Sequence, residues 1–474
     1  MIHSQPIVMK LIITIPIFFL WMQASFAQLN KRLFESHSRY LEKSMDTRRF
    51  KHREVMRIVN NMDKSFTVNH VGTSVEDRAI KLVTYGTGKV KVLMWSQMHG
   101  DEPTATQALM DIFKWLNSND EFDETRKLIQ SSLTLHFIPM LNPDGASRFT
   151  RRNHYGIDIN RDAIRLQTPE GQTLKRIRDS LNADWGFNLH DQGRGTSVNG
   201  KPATISLLAP PFNANRDVNE TRGDAMQLTK YMFDQISDYI PGQIGIYPDD
   251  FEPRAFGDNI QKWGTRSILI ESGGYQADWE KQDLRKLNFV LLLTAMESIA
   301  SKSFEKIPVN AYNEIPKNDD GRMNELIVYN LNYEGLIRDA AFDRREMDSE
   351  DFRNYYTKSL VTDLGDLSTS HGYQSFDAKD YEVLPGRVYD KPLNSMSELS
   401  SLDTEALFKD GYTDFIVKEG FDPFTAKFRF NIHAKVPSTN NEVRIGGNPS
   451  LLFKKNGKVE NVLVNGMIYD LKGR

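Results

Sequence analysis

The chain has 474 residues, 39% of them hydrophobic and 26% charged, with a formal net charge of −3. That length and balance suit a soluble globular chain of two or more domains, and the near-neutral charge gives no electrostatic case for nucleic acid or an anionic membrane as partner. Cysteine is absent, which excludes disulfides, thiolate metal ligands and a cysteine nucleophile.

Lys10 precedes an apolar run, Leu11 to Met22, and Ser25 and Ala27 then place small residues where a signal peptidase would read them for a cut after Ala27. The pattern predicts a signal peptide over residues 1–27 and an exported mature chain, periplasmic or secreted. Its apolar core is too short to span a bilayer, and no later stretch is apolar enough to cross one. From residue 28 to about 62, Leu33, Tyr40, Leu41, Met56 and Ile58 recur at helical spacing and predict helices leading into a first domain. Strand-like pieces follow from Thr67 to Val83, broken at Gly72-Thr73-Ser74 and Gly86-Thr87-Gly88.

Val90–Trp95 reads as a buried strand, soon followed by His99-x-x-Glu102. Pro103 suits the first turn of a helix, and Ala105, Leu109, Ile112, Phe113 and Leu116 give that helix one apolar face. Leu133–Met140 is the next buried strand, ending at Asn142-Pro143-Asp144-Gly145, read as a turn. After a polar, Arg-rich loop, Thr168-Pro169-Glu170 opens a helix, and Trp185–His190 forms another strand. A helix over Thr221–Tyr239, a strand over Ser267–Glu271 and a long buried helix over Asp278–Ala300 complete the pattern. Strands alternating with helices, with polar residues gathered after strand ends, predict an α/β domain over residues 28–305 whose site lies beyond the carboxyl ends of the strands. After Lys306 the text changes to short alternating runs, such as Leu326–Tyr329, Phe428–His433 and Val459–Val464 before Asn465-Gly466, which predict a mostly β domain over residues 306–474.

His99 and Glu102, three apart just past a strand end, supply two of the three protein ligands that a catalytic zinc needs. A third must be a histidine or carboxylate at another strand end, and His190 fits, its bland alternative being a structural histidine. Glu271 ends a strand otherwise wholly apolar, where a carboxylate is either a general base or a buried liability. Arg161, in Gly156-Ile157-Asp158-Ile159-Asn160-Arg161-Asp162, offers a fork matched to a carboxylate; its bland alternative is a loop salt bridge.

In order, these residues and the phrases Met98–Pro103, Asn142–Gly145, Gly156–Arg161 and Ile270-Glu271-Ser272-Gly273 resemble the zinc carboxypeptidase family of the carboxypeptidase A type, in its bacterial branch, over roughly residues 65–300. The resemblance implies a mixed central sheet flanked by helices and one zinc per chain, held by His99, Glu102 and His190. It implies that Asn160 and Arg161 hold the substrate's terminal carboxylate and that Glu271 is the base. Arg151 matches the arginine that polarises the scissile carbonyl, with Arg148 and Arg152 as alternatives. Asp158 would accept the other ring N–H of His99, and Tyr247 is the best match to the family's closing tyrosine. The spacing from Glu102 to His190 is shorter than in the digestive enzymes, which implies trimmed loops beside the substrate. Asp250, Arg254 and Asp258 fall where the specificity pocket is lined, and leave side-chain preference open. The function implied is hydrolysis of C-terminal amide bonds in peptides or peptidoglycan stem peptides. The alternatives are a zinc deacylase of N-acyl amino acids, of the aspartoacylase or desuccinylase type, and a non-catalytic peptide- or glycan-binding protein. His371 and His433 read as structural.

Overall fold

The computed structural model describes residues 29–319, 323–420, 422–423, 429–435 and 441–471. The expected signal peptide, residues 1–27, lies outside the described residues, as does Phe428 at the start of one expected strand. Two helices, α1 (Leu29–Tyr40) and α2 (His52–Val59), lead into β1 (Phe66–Thr73) and β2 (Ala79–Tyr85). Next come β3 (Val90–Ser96), α3 (Thr104–Leu116), α4 (Asp123–Ser132), β4 (Leu133–Ile138) and the short α5 (Pro143–Arg148). α6 (Pro169–Leu181) precedes β5 (Trp185–Asp191), a small hairpin of β6 (Ser197–Val198) and β7 (Lys201–Pro202), and β8 (Ile205–Leu208). α7 (Glu220–Ile236), β9 (Ile244–Ile246), α8 (Phe256–Lys262), β10 (Arg266–Ser272) and α9 (Gln282–Ser301) complete the layer.

Eight of these strands form one mixed sheet in the order β1-β2-β4-β3-β5-β10-β8-β9. Its centre, β4-β3-β5-β10, is parallel, and β2 and β8 join it antiparallel. Alternate strand residues face opposite sides, and here both sides are apolar: Val92 and Met94 enter one core, Leu93 and Trp95 the other. A sheet covered on both faces needs near-continuous apolar strands, which is the text of β3, β5 and β10. The helices α1, α3, α4 and α7 pack around α9 on one side. On the other, α6 and α8 contribute Leu174, Ile177, Phe256 and Ile260. Each fully buried side chain such as Leu93 or Phe187 contributes about 1.5–3 kcal/mol. The expected α/β architecture with helices flanking a mixed sheet is the one observed.

Some elements differ from the sequence expectation. Asn142-Pro143-Asp144-Gly145 opens α5 instead of making a simple turn: the Asn142 side chain accepts from Gly145 N at 2.9 Å, with Pro143 at the first helical position. α9 starts later than expected because Asp278 stays outside it and accepts the N–H groups of Gln282 and Asp283 at 2.7 and 2.8 Å. Past α9, residues 303–319 still lie against the first sheet, where Asn318 N donates to Ile246 O at 3.0 Å and Ala209 N to Tyr312 Oη at 3.2 Å.

The rest is rich in strands, as expected. β11 (Met323–Tyr333), β12 (Leu336–Asp348), β13 (Tyr355–Gly365) and β14 (His371–Asp377) make one sheet in the order β13-β12-β11-β14. A second sheet is built from Glu382–Pro385, Leu451–Lys455, Lys458–Val464 and Met467–Asp470. Its last hairpin closes at Asn465 and Gly466, both left-handed (φ +48° and +67°), the geometry that makes Asn-Gly a tight-turn signal.

Candidate active site

At the end of β3, Gln97 takes a left-handed backbone (φ +52°). Its side chain holds that bend, with Nε2 donating to Gly100 O at 2.9 Å and Oε1 accepting from Thr106 Oγ1 at 3.1 Å. Glu102 N then donates to His99 O at 3.2 Å, so His99-x-x-Glu102 is one tight turn with both side chains at its mouth. Gly100 is needed because a Cβ there would lie 2.0 Å from the Gly145 carbonyl carbon; α5 packs directly on the turn.

β5 lies between β3 and β10, and in the parallel β5–β10 register His190 stands opposite Glu271 and Asn188 opposite Leu269. The register brings the third expected ligand and the expected base to the carboxyl ends of central strands, beside the turn after β3. His99 Nδ1 is 2.7 Å from Glu102 Oε1, His190 Nδ1 is 2.7 Å from Glu102 Oε2, and the two Nδ1 atoms are 3.1 Å apart. All three side chains are buried. Among the described residues, this is the one group of three histidine or carboxylate donors gathered closely enough to share an ion.

The donors fit a cation. Two imidazole nitrogens and a carboxylate at these distances set lone pairs against one another unless positive charge lies among them. Asp158 Oδ1 faces His99 Nε2 at 3.1 Å, which draws the ring proton to Nε2 and leaves Nδ1 free to bind a metal. Burial lowers the His99 imidazole, but the Glu102 and Asp158 carboxylates outweigh it and carry it up to about 9. Burial would raise Glu102, yet the two imidazoles hold it well below the usual carboxylate range. His190, pushed down by burial, keeps Nε2 buried without a partner. Two imidazoles and one carboxylate form a donor set suited to catalytic zinc.

Asp158 organises more than His99. Its Oδ1 also accepts from Asn160 N at 2.9 Å, capping the single turn Ile159–Arg161, and its Oδ2 accepts from Arg151 Nε at 3.0 Å. Arg151 Nη1 reaches Glu102 Oε1 at 3.3 Å. Of the three arginines open to this place in the sequence, Arg151 is the one at the cluster; Arg148 pairs with Glu76 at 2.8 Å and Arg152 donates to Gly156 O at 2.9 Å. Asn160 Oδ1 accepts from Phe256 N at 2.8 Å, which commits the amide oxygen to α8 and leaves the amide N–H donors for another partner. Arg161 donates to Asn160 O at 2.8 Å, and its Nε lies 3.2 Å from Glu252 Oε2.

His99, Glu102, Arg151, Asn160, Arg161, Tyr247 and Glu271 border one cleft of about 500 Å³, together with Asp250, Glu252 and Asp258. Glu271 is 8% exposed, and its Oε2 has no hydrogen-bond partner. Burial, then the neighbouring Glu102 charge, pushes its carboxyl well above the usual range. Tyr247, half-buried just after β9, has its phenol raised by burial and then by Glu271. Burial pushes Asp258 up to about 7.

The sequence reading missed several groups here. Lys281 Nζ donates to Ser272 O at 2.8 Å and lies 3.2 Å from Asp191 Oδ2, which also accepts from Thr104 Oγ1 at 2.6 Å. These contacts tie the ends of β5 and β10 together. Only Asp191, directly after His190, carried any local signal. Glu252 and Lys281 lie in irregular segments with none. His433, expected to be structural, bonds to Asp414 at 2.8 Å.

Comparison with known proteins matches residues 52–200 to the zinc carboxypeptidase family. Carboxypeptidase SOL1 of Arabidopsis thaliana is 38% identical over 65 residues, 14% of this chain and 13% of that protein. Carboxypeptidase 2 of Trichophyton rubrum is 24% identical over 145 residues, 31% of this chain and 26% of that protein. The chain spans about a quarter or less of the length of these two relatives. A solved metallo-carboxypeptidase from Burkholderia cenocepacia aligns over 53% of this chain and 69% of its own, at 18% identity and a TM-score of 0.45.

Proposed function

We propose, from the premise that residues 52–200 carry a zinc carboxypeptidase domain, that the chain is a zinc-dependent metallocarboxypeptidase. Its substrates are peptides or peptide-like chains with a free C-terminus, peptidoglycan stem peptides among them, met outside the cytoplasm if residues 1–27 export the chain. One observation carries this reading: His99 and Glu102 of the ligand trio, Glu271 with its unpartnered oxygen, and the Asn160–Arg161 pair border a single cleft.

His99 and His190, through Nδ1, and Glu102 would hold the ion. Bound there, zinc would polarise the scissile carbonyl and make water more acidic. The Arg161 guanidinium and the free N–H donors of Asn160 bind the terminal carboxylate by charge-assisted hydrogen bonds. Tyr247 borders the same cleft as Glu271, where it can close over the bound residue. Glu271 takes the proton of the attacking water and delivers it to the leaving amine nitrogen, and its raised proton affinity suits a group that must hold the proton between those steps. Arg151 offers an N–H to the developing oxyanion, a contribution of about 3 kcal/mol for a preorganised donor.

Mass spectrometry of a mixed peptide and stem-peptide library, incubated with the mature protein, tests this reading. Single C-terminal residues should be lost, the loss should stop with a chelator, and zinc should restore it. Internal cleavage, or cleavage indifferent to chelation, contradicts the reading.

A further inference from the structure

A peptide held by its terminal carboxylate at Asn160 and Arg161, with its last amide bond at His99, Glu102 and His190, must leave the cleft on the side away from Arg161. A second cavity, of about 300 Å³, meets the first there, and the two share Glu102, Asp191, Gln192 and Gly193 as borders. From this junction the second cavity runs along Asp101, Phe149, Trp279 and Lys281 of the catalytic layer. Its wall also includes Glu346, a residue of β12 in the C-terminal domain.

The β domain clamps both walls. On one side, Glu346 pairs with Arg48 and, at 2.5 Å, with Arg49, which also reaches Asp348 at 2.8 Å. Arg49 is 2% exposed. Its guanidinium lies 4.0 Å from the ring centre of Phe149 and 4.6 Å from that of Tyr355 on β13. The Phe149 ring and the β domain therefore grip the same buried cation. On the other side, the Arg194 guanidinium lies between Trp279 at 4.3 Å and Tyr373 of β14 at 4.2 Å. Arg194 Nε and Nη2 both donate to Glu325 of β11, at 2.6 and 3.3 Å, and the Tyr373 hydroxyl donates to Arg194 O at 2.9 Å. Ion pairs of this kind, with the Glu346 side chain 27% and the Asp348 side chain 37% exposed, add little net stability, so these clamps are better explained by a need for fixed geometry than by adhesion between domains.

We infer that this interdomain cavity binds the peptide residues upstream of the scissile bond, which makes the β domain part of the substrate site. The inference rests on the carboxypeptidase reading above and deepens it. The class of ligand follows from the lining. Phe149 and Trp279 border the cavity and give it apolar surface, although each ring already carries a guanidinium against it. Asp101, whose buried Oδ1 has no partner, offers an acceptor for a peptide N–H near the junction. A volume near 300 Å³ is at the small end of ligand cavities and suits a short run of peptide.

The test compares kcat/KM for an N-blocked dipeptide with that for an N-blocked tetrapeptide ending in the same two residues, using the full chain loaded with zinc. The tetrapeptide should be cleaved at least about tenfold more efficiently. Trp279→Ala and the β-domain substitution Glu346→Gln should each cut that advantage by at least about threefold, chiefly through KM of the longer peptide. Equal efficiency for the two lengths in the unmodified protein overturns the inference and leaves the carboxypeptidase reading standing. So do variants that fold and slow both lengths alike. Cleavage of neither peptide overturns both.

Discussion

Glu271 joins burial, an unpartnered oxygen and a like charge at Glu102, and all three bear on its proton. Glu271→Gln keeps the shape and removes the ability to accept a proton. Zinc content, measured by atomic emission, should stay at one per chain while turnover falls by about 10²–10⁴-fold. Near-normal turnover would leave the mechanism without its base. At this scale, legibility depended on whether a residue type was out of place in its local text. A carboxylate ending the apolar Ile268-Leu269-Ile270 run, or a histidine after Phe187-Asn188-Leu189, needs a reason in its own segment. The Arg161–Glu252 and Lys281–Asp191 pairs join distant positions, and nothing local marks Glu252 or Lys281. The choice of Arg151 over its neighbours was likewise open until Asp158 could be seen to hold it.

Among the elements, β4 carries a group that makes stability depend on pH. His136 is 7% exposed, with Nδ1 3.0 Å from Thr84 Oγ1 on β2. Burial, with Lys91 adding to it, lowers the imidazole from 6.5 to about 4. The unfolded chain therefore takes up this proton first as pH falls. The contribution is complete above about pH 6.5 and is lost as pH drops toward 4, by at most about 3 kcal/mol. Urea unfolding across that range should show a steeper acid loss for the native protein than for His136→Asn, and matching slopes would contradict the assignment. Long patterned elements such as β3, β5, β10 and α3 were legible because their apolar period decides them. The three-residue β9 and the polar α4 were not, because their pairing and packing come from neighbours. Asn142-Pro143-Asp144-Gly145 satisfies turn chemistry and helix-start chemistry equally, and the chain takes the second, with Gly145 packed on Gly100.

Across the whole molecule, a change of text near Lys306 separates the α/β layer from a β-rich C-terminal part, although residues 303–319 still pack on the first sheet. That β12 reaches the second cavity could not be read in advance, because Arg48, Arg49 and Arg194 meet Glu346 and Glu325 only through the folded arrangement. The central claim is that one cleft holds a terminal carboxylate at one end and cuts the adjoining amide at the other. A peptide and its C-terminal amide, differing in that group alone, test it most directly. The amide has no charge and brings N–H donors toward the Arg161 guanidinium. Sites built around a polar group discriminate by up to about 10⁴-fold when well buried. With the Arg161 side chain 36% exposed, the account predicts that the free acid is cleaved at least about 10²-fold faster. Arg161→Ala should slow the acid, barely change the amide and remove most of that difference. Equal rates for acid and amide in the unmodified protein would contradict carboxylate anchoring and, with it, the exopeptidase account.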